Sequence, residues 1–264
     1  MNTETEILPA GAGLGTAASH AAAARADEGE SKARRLVWDL PLRAFKWLFA
    51  VSILASWATA EAGFGWMKWH IRLGFWMIGL LTFRVLWGFV GPRHARFASF
   101  LKGPRHMWHH VRGIAGLDDE DGYTVGHNPL GGVMVIILLL LVSFQVATGL
   151  FATDDIAWTG PYYPTVSNAK AEFLTHLHRL NFNLIWAAIA LHVAAIIFYG
   201  LVKRHNLVMP MITGYKPAHR VPTHEAIPHS ALWRAFVVMI VSAFVVYAVF
   251  SGAPHVSASA LNFD

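Results

Sequence analysis

The sequence predicts an all-α integral membrane helical bundle, and three observations carry that reading. Five apolar runs of about twenty residues or more divide the chain, each long enough to cross the hydrocarbon core of a bilayer as a helix. Charge is scarce: 55% of the 264 residues are hydrophobic and 14% charged, with eleven tryptophans, a balance foreign to water-soluble domains. Lys and Arg exceed Asp and Glu by five, yet they gather in alternate connections between the apolar runs instead of forming one patch. That arrangement points to membrane topology and away from nucleic acid.

Residues 1 to about 35, rich in Ala, Gly, Ser, Thr and Glu without apolar periodicity, read as a disordered tail. No compact apolar core follows a basic start, so the tail is not read as a signal peptide. The apolar runs cover residues 40–60, 69–90, 131–151, 177–201 and 231–250. The fourth begins among polar residues, His176, His178, Arg179 and Asn181. The long connection 91–130 mixes Phe97, Phe100, Leu101, Met107 and Trp108 with cations, and reads either as an interfacial segment over anionic lipid or as a solvated loop. The connection before the fourth run, with Gly160, Pro161, Pro164 and Asn168, reads as a turn-rich cap.

Basic residues assign the sides. Lys32, Arg34 and Arg35 precede the first run, Arg93, Arg96, Lys102, Arg105 and Arg112 follow the second, and Lys203, Arg204, Lys216 and Arg220 follow the fourth. The opposite connections hold Glu61 and Lys68, then Asp154, Asp155, Lys170 and Glu172. The expectation is a cytoplasmic N-terminus, with residues 251–264 on the outer side.

Cysteine is absent, which excludes disulfides, thiolate-held iron–sulfur clusters and covalent c-type haem. A redox centre in this chain is therefore a non-covalently bound cofactor. His178 and His192 stand fourteen residues apart in the fourth run, which places them about 40° apart on one helix face and roughly 21 Å apart along the axis. Two imidazoles so placed suit a helix holding two stacked haems. His176 lies about 160° from His192 and faces elsewhere.

A haem gripped by two histidines needs its second ligand from a neighbouring helix at the same depth. His70, at the outer start of the second run, matches His178. At the inner depth of His192 the first run offers Lys46. A desolvated, neutral amine can bind iron; a lysine can instead snorkel to the headgroups and leave the iron five-coordinate or the site empty. Arg84, fourteen residues after His70, suits haem propionates or a quinone headgroup, and equally a snorkelling anchor beside Trp87 and Phe89. Gln145 and Thr148 suit a quinone carbonyl or helix contacts, and Gly74, Gly79 and Gly149 suit close approach of a macrocycle or a second helix. Asp154 and Asp155 read as too exposed for a proton relay. No zinc-protease, phosphate-loop or nucleophile-elbow signature is present, and no catalytic residue is assigned.

Several stretches resemble, in order and spacing, the bacterial cytochrome b561 family, in the branch containing the cytochrome b subunits of nickel–iron hydrogenases. They are VWDLPLRAFKW from Val37, HIRLGFW from His70, FRVLWGFVGPRHARFASF from Phe83, GHNPLGG from Gly126, QVATGLFATDD from Gln145, LHRL from Leu177, LHV from Leu191 and NLVMPMITGYK from Asn206. The resemblance implies a four-helix core with two b-type haems, helix four giving one ligand to each. His70 and His178 match the outer-haem ligands and His192 one inner ligand. The remaining ligand falls on Lys46, where the family reads Leu-Phe-His-Trp and this chain Ala-Phe-Lys-Trp.

The resulting organisation is a tail (1–35), a cytochrome b561-like transmembrane domain (36–216), and a linker with a fifth transmembrane helix and a short outer tail (217–264). The resemblance implies a multi-pass protein of the bacterial inner membrane with a periplasmic C-terminus. Its expected role is electron transfer through haem b between the quinone pool and an outer-face partner, a c-type cytochrome or hydrogenase-like enzyme. Partners are thus membrane lipid, quinone and a redox protein, without nucleic acid, and a homo-oligomer is compatible with this. Two other readings stand: a stand-alone superoxide:quinone oxidoreductase, and a non-redox scaffold with a vestigial haem site.

Overall fold

The computed structural model describes residues 33–101, 103–114 and 124–254. Residues 1–32 of the expected disordered tail (1–35), Lys102, residues 115–123 of the long connection and the last ten residues lie outside the described residues. The chain runs β1 (Arg34–Leu36), α1 (Leu40–Glu61), α2 (Met67–Val90), α3 (Phe97–Phe100), α4 (Pro104–Ile114), α5 (Pro129–Gly149), α6 (Asn168–Leu201), α7 (Val208–Thr213), β2 (Tyr215–Pro217) and α8 (Leu232–Ser251).

Local chemistry explains where the helices begin. Asp39 caps α1 by accepting the Leu42 N–H at 2.9 Å, with Pro41 in the first turn. Asn128 caps α5 in the same way through Gly131, followed at once by Pro129. Both are the acceptor-then-proline pattern that satisfies free N–H groups and presets φ.

Four helices, α2, α5, α6 and α8, are long and apolar enough to cross a membrane among the described residues. The first expected span, α1, is a helix of 22 residues in which Arg43 and Lys46 interrupt the apolar run. The fourth run is longer than the sequence reading: α6 begins at Asn168 and has 34 residues, roughly 51 Å of helix. Its polar start stays helical because Thr175 anchors it. The Thr175 hydroxyl donates to Ala171 O at 2.8 Å and accepts the Thr153 N–H at 3.0 Å, tying α6 to the turn after α5.

α2 is the hub, packing on α1, α5 and α8, while α6 packs on α5. The fifth apolar helix is therefore part of the bundle, laid against α2. The expected linker 217–231 is also built in: β2 pairs antiparallel with β1, Arg35 opposite Lys216, Ile227 N–H donates to Leu36 O at 2.9 Å, and Val221 is fully buried. Arg34 and Arg35, assigned to the tail by sequence, thus belong to the fold. Gly214 closes α7 at φ +90°, a left-handed conformation that favours glycine. Its carbonyl accepts the N–H groups of Val37 and Trp38, and a Cβ there would lie 2.8 Å from Trp38 O.

The long connection is neither purely interfacial nor purely solvated. His94, Ala95 and Phe100 are buried against the bundle, while Trp108 on α4 is exposed.

Candidate functional site

His70 lies one turn into α2 and His178 three turns into α6, and the two rings face each other with centroids 6.2 Å apart and planes at 79°. Each Nδ1 meets a backbone carbonyl: Ser56 O on α1 at 2.8 Å for His70, and Gln145 O on α5 at 2.9 Å for His178. As Nδ1–H donors both rings present Nε2 as the basic nitrogen, the tautomer a metal requires. The Thr148 hydroxyl also reaches His178 Nδ1 at 3.2 Å, and Gln145 Oε1 accepts from Asn181 at 2.7 Å. Gln145 and Thr148 therefore position α6 and its histidine, the helix-contact alternative of the two that the sequence left open.

The arrangement fits a bis-histidine haem. Two imidazoles bound to one metal ion at about 2 Å per nitrogen stand with centroids roughly 6 Å apart, matching the separation present. α2 and α6 do not pack closely on one another, and Gly74, four residues beyond His70, faces open space, with nothing within 4 Å of a Cβ built there. Gly149 has a different purpose. A Cβ there would sit 2.9 Å from His178 Cε1, so this glycine lets α5 come against the imidazole rather than against a macrocycle.

The inner end differs. Lys46 extends to Met211 Sδ at 3.0 Å and His127 Nε2 at 3.5 Å, and lies 4.4 Å from the centre of the Trp38 ring. His192 is half-buried and close enough to Lys46 to feel its charge, but it makes no hydrogen bond among the described residues. The Lys46 amine is thus occupied within the protein instead of being presented beside His192, and it does not snorkel.

For Arg84 the structure speaks against one of the two alternatives. This residue is 1% exposed, donates to Ala95 O at 3.3 Å and stacks under Phe97 at 4.7 Å. It is a buried brace for the segment after α2, not a snorkelling anchor. Trp87, assigned with it to an aromatic belt, is fully buried and donates Nε1–H to Asp39 at 2.9 Å, whereas Phe89 is exposed. His127 escaped the residue-level reading although it stands in the GHNPLGG stretch. Burial and the surrounding cations hold its imidazole well below the ordinary range. Asp154, read as exposed, accepts three backbone N–H groups, from Ile156, Ala157 and Trp158, and shapes the outer turn.

Comparison with known proteins identifies the family. The profile of the prokaryotic cytochrome b561 family matches residues 37–214. The chain is 23% identical over 227 residues to a probable Ni/Fe-hydrogenase B-type cytochrome subunit of Azotobacter vinelandii, covering 72% of this chain and 92% of that protein. A protein of the same description from Rhodobacter capsulatus is 26% identical, covering 68% and 80%. The probable Ni/Fe-hydrogenase 1 B-type cytochrome subunit of Escherichia coli K12 is 21% identical, covering 68% and 89%. No solved structure matches the chain.

Proposed function

Since the chain belongs to the prokaryotic cytochrome b561 family, a family of multi-pass membrane cytochromes, we propose that it carries electrons through one haem b held between His70 and His178. The observation that carries this reading is the pair of facing imidazoles 6.2 Å apart, each oriented by a carbonyl on a third helix. Haem bound there supplies a one-electron ferric–ferrous couple.

The protein's part is positional and electrostatic. Ser56 O and Gln145 O fix both rings through Nδ1, which raises the basicity of Nε2, and the Gly74 face leaves room beside His70. The Lys46 amine is directed to Met211 and His127, so the inner position of the family's two-haem arrangement is left without its helix-one ligand.

In this reading α1 also crosses the membrane, the basic loops face the cytoplasm of a bacterial inner membrane, and the haem lies toward the outer face. Electrons pass between quinone and an outer redox protein. The names of the relatives favour a hydrogenase-like enzyme over a c-type cytochrome as that partner. The test is reoxidation of the dithionite-reduced, purified protein by a short-chain quinone, followed at the haem α-band. Reoxidation of the full signal is expected in wild type. A haem that stays reduced in the presence of quinone contradicts the proposal.

A further inference from the structure

At the basic end of the bundle, the segment after α2 and the segment leading into α8 enclose an open cavity of about 320 Å³. Arg93, Arg96 and Arg234 line it together with His224 and His229, and no carboxylate does among the described residues. Arg93 donates Nη1–H to His224 O at 2.9 Å, and Arg96 donates Nε–H to Gly91 O at 2.8 Å. A guanidinium has five donors, so each is held in place by one bond with the rest of its fork available. Arg234 makes no hydrogen bond or ion pair among the described residues. Glu225 lies outside the lining, 4.0 Å from His224 Nε2.

Three arginines around one cavity repel one another, and the site is less favourable still for Arg234. It stands in the first turn of α8, where the helix dipole is positive, and α8 has neither an acidic residue in that turn nor a side-chain cap. An anion in the cavity meets all three guanidinium groups and the helix start at once.

The surroundings identify the kind of anion. The cavity lies at the ends of two membrane-crossing helices that pack together, lined by Pro92, Arg93 and Arg96 just after α2 and by Ala231 and Arg234 at the start of α8. At the same ends of these two helices, Phe89 on α2 and Leu232, Trp233 and Phe236 on α8 are all more than half exposed. Cations in a pocket at the ends of transmembrane helices, with uncovered apolar side chains on the adjoining turns, match a headgroup site with room for acyl chains. We propose that this cavity binds the phosphate of an anionic phospholipid, its chains lying along the α2–α8 seam.

The test uses the full chain, delipidated in detergent and titrated with phosphatidylglycerol, phosphatidylcholine or inorganic phosphate in separate arms, with bound adducts read by native mass spectrometry. Phosphatidylglycerol is expected to bind about tenfold more tightly than phosphatidylcholine, and Arg234→Gln to lose about tenfold of that affinity, the scale of one charge-assisted hydrogen bond. Arg234→Lys, which keeps the charge, is expected to stay within about threefold of wild type. Arg234 makes no hydrogen bond or ion pair among the described residues, and the haem spectrum of each variant serves as a check on folding. Equal phosphatidylglycerol binding by wild type and Arg234→Gln overturns the proposal. So does displacement of the lipid by an equimolar amount of inorganic phosphate, which assigns the cavity to the free ion.

Discussion

Substituting Gly74 by leucine separates the protein's own packing from its cofactor. Gly74 stands four residues beyond His70 on α2, on nearly the same face, and a Cβ there meets nothing within 4 Å. For the haem-free chain the change is benign. A helical glycine replaced by a good helix former gains about 0.5–1 kcal/mol, and the added Cβ meets no neighbour. A macrocycle held at His70 and His178 occupies that space, so the added side chain overpacks the pocket. Overpacking typically costs about 1–3 kcal/mol, which corresponds to a loss of roughly 5- to 150-fold in haem affinity. The assay is haem per chain by pyridine haemochrome at limiting haem, paired with thermal unfolding of the haem-free protein. The expected result is depleted haem together with a melting temperature at or above wild type. Full haem content with an unshifted Soret band would mean that Gly74 faces lipid and that the macrocycle lies elsewhere, which refutes the reasoning.

Three further outcomes follow from named contacts. Lys46→Ala leaves haem per chain and the low-spin spectrum unchanged, because the amine is directed to Met211 and His127; loss of haem or a shifted spectrum makes Lys46 a ligand after all. Asp39→Ala removes both the α1 cap and the acceptor for buried Trp87, at a cost of about 2–4 kcal/mol. The check is the unfolding midpoint in mild denaturant, and a midpoint equal to wild type rejects the assignment. His94, outside the spans, is held below its ordinary value of 6.5 chiefly by burial, opposed by its bond to Glu225 O. The unfolded chain therefore takes up the proton first, and stability falls as pH drops from about 6.5 toward the folded pKa. Melting curves at pH 7 and pH 5 should show this loss, and His94→Gln should reduce it.

Much of the bundle is legible along the chain because lipid imposes a length and a hydropathy on every span. The apolar runs at 40–60, 69–90 and 231–250 reproduce α1, α2 and α8 to within two residues at either end. α6 was cut short because Asn168 to Thr175 look polar, and what keeps them helical is a hydroxyl bond to a turn on another element. The facing of His70 and His178 was legible from depth alone, since both stand near the outer start of their helices. The inner end was not. Lys46 meets His127 and Met211 across 81 and 165 residues of sequence, and no periodicity within α1 reports such a contact. The burial of Arg84 and Trp87 is hidden from the sequence for a related reason: a short segment folding back places Ala95 and Phe97 over Arg84, while the α1 cap residue Asp39 accepts from Trp87. The Asp-Leu-Pro at the start of α1 and the His-Asn-Pro before α5 were visible as motifs, and the structure gives them a cap each and, for Asp39 and His127, a buried partner.

The most direct test is low-temperature electron paramagnetic resonance of the oxidised protein, with haem per chain measured on the same sample, for wild type, His70→Ala and His178→Ala. The account predicts one haem per chain in wild type, low-spin and bis-histidine, and loss of that low-spin signal in each variant. An unchanged low-spin signal in either variant contradicts it.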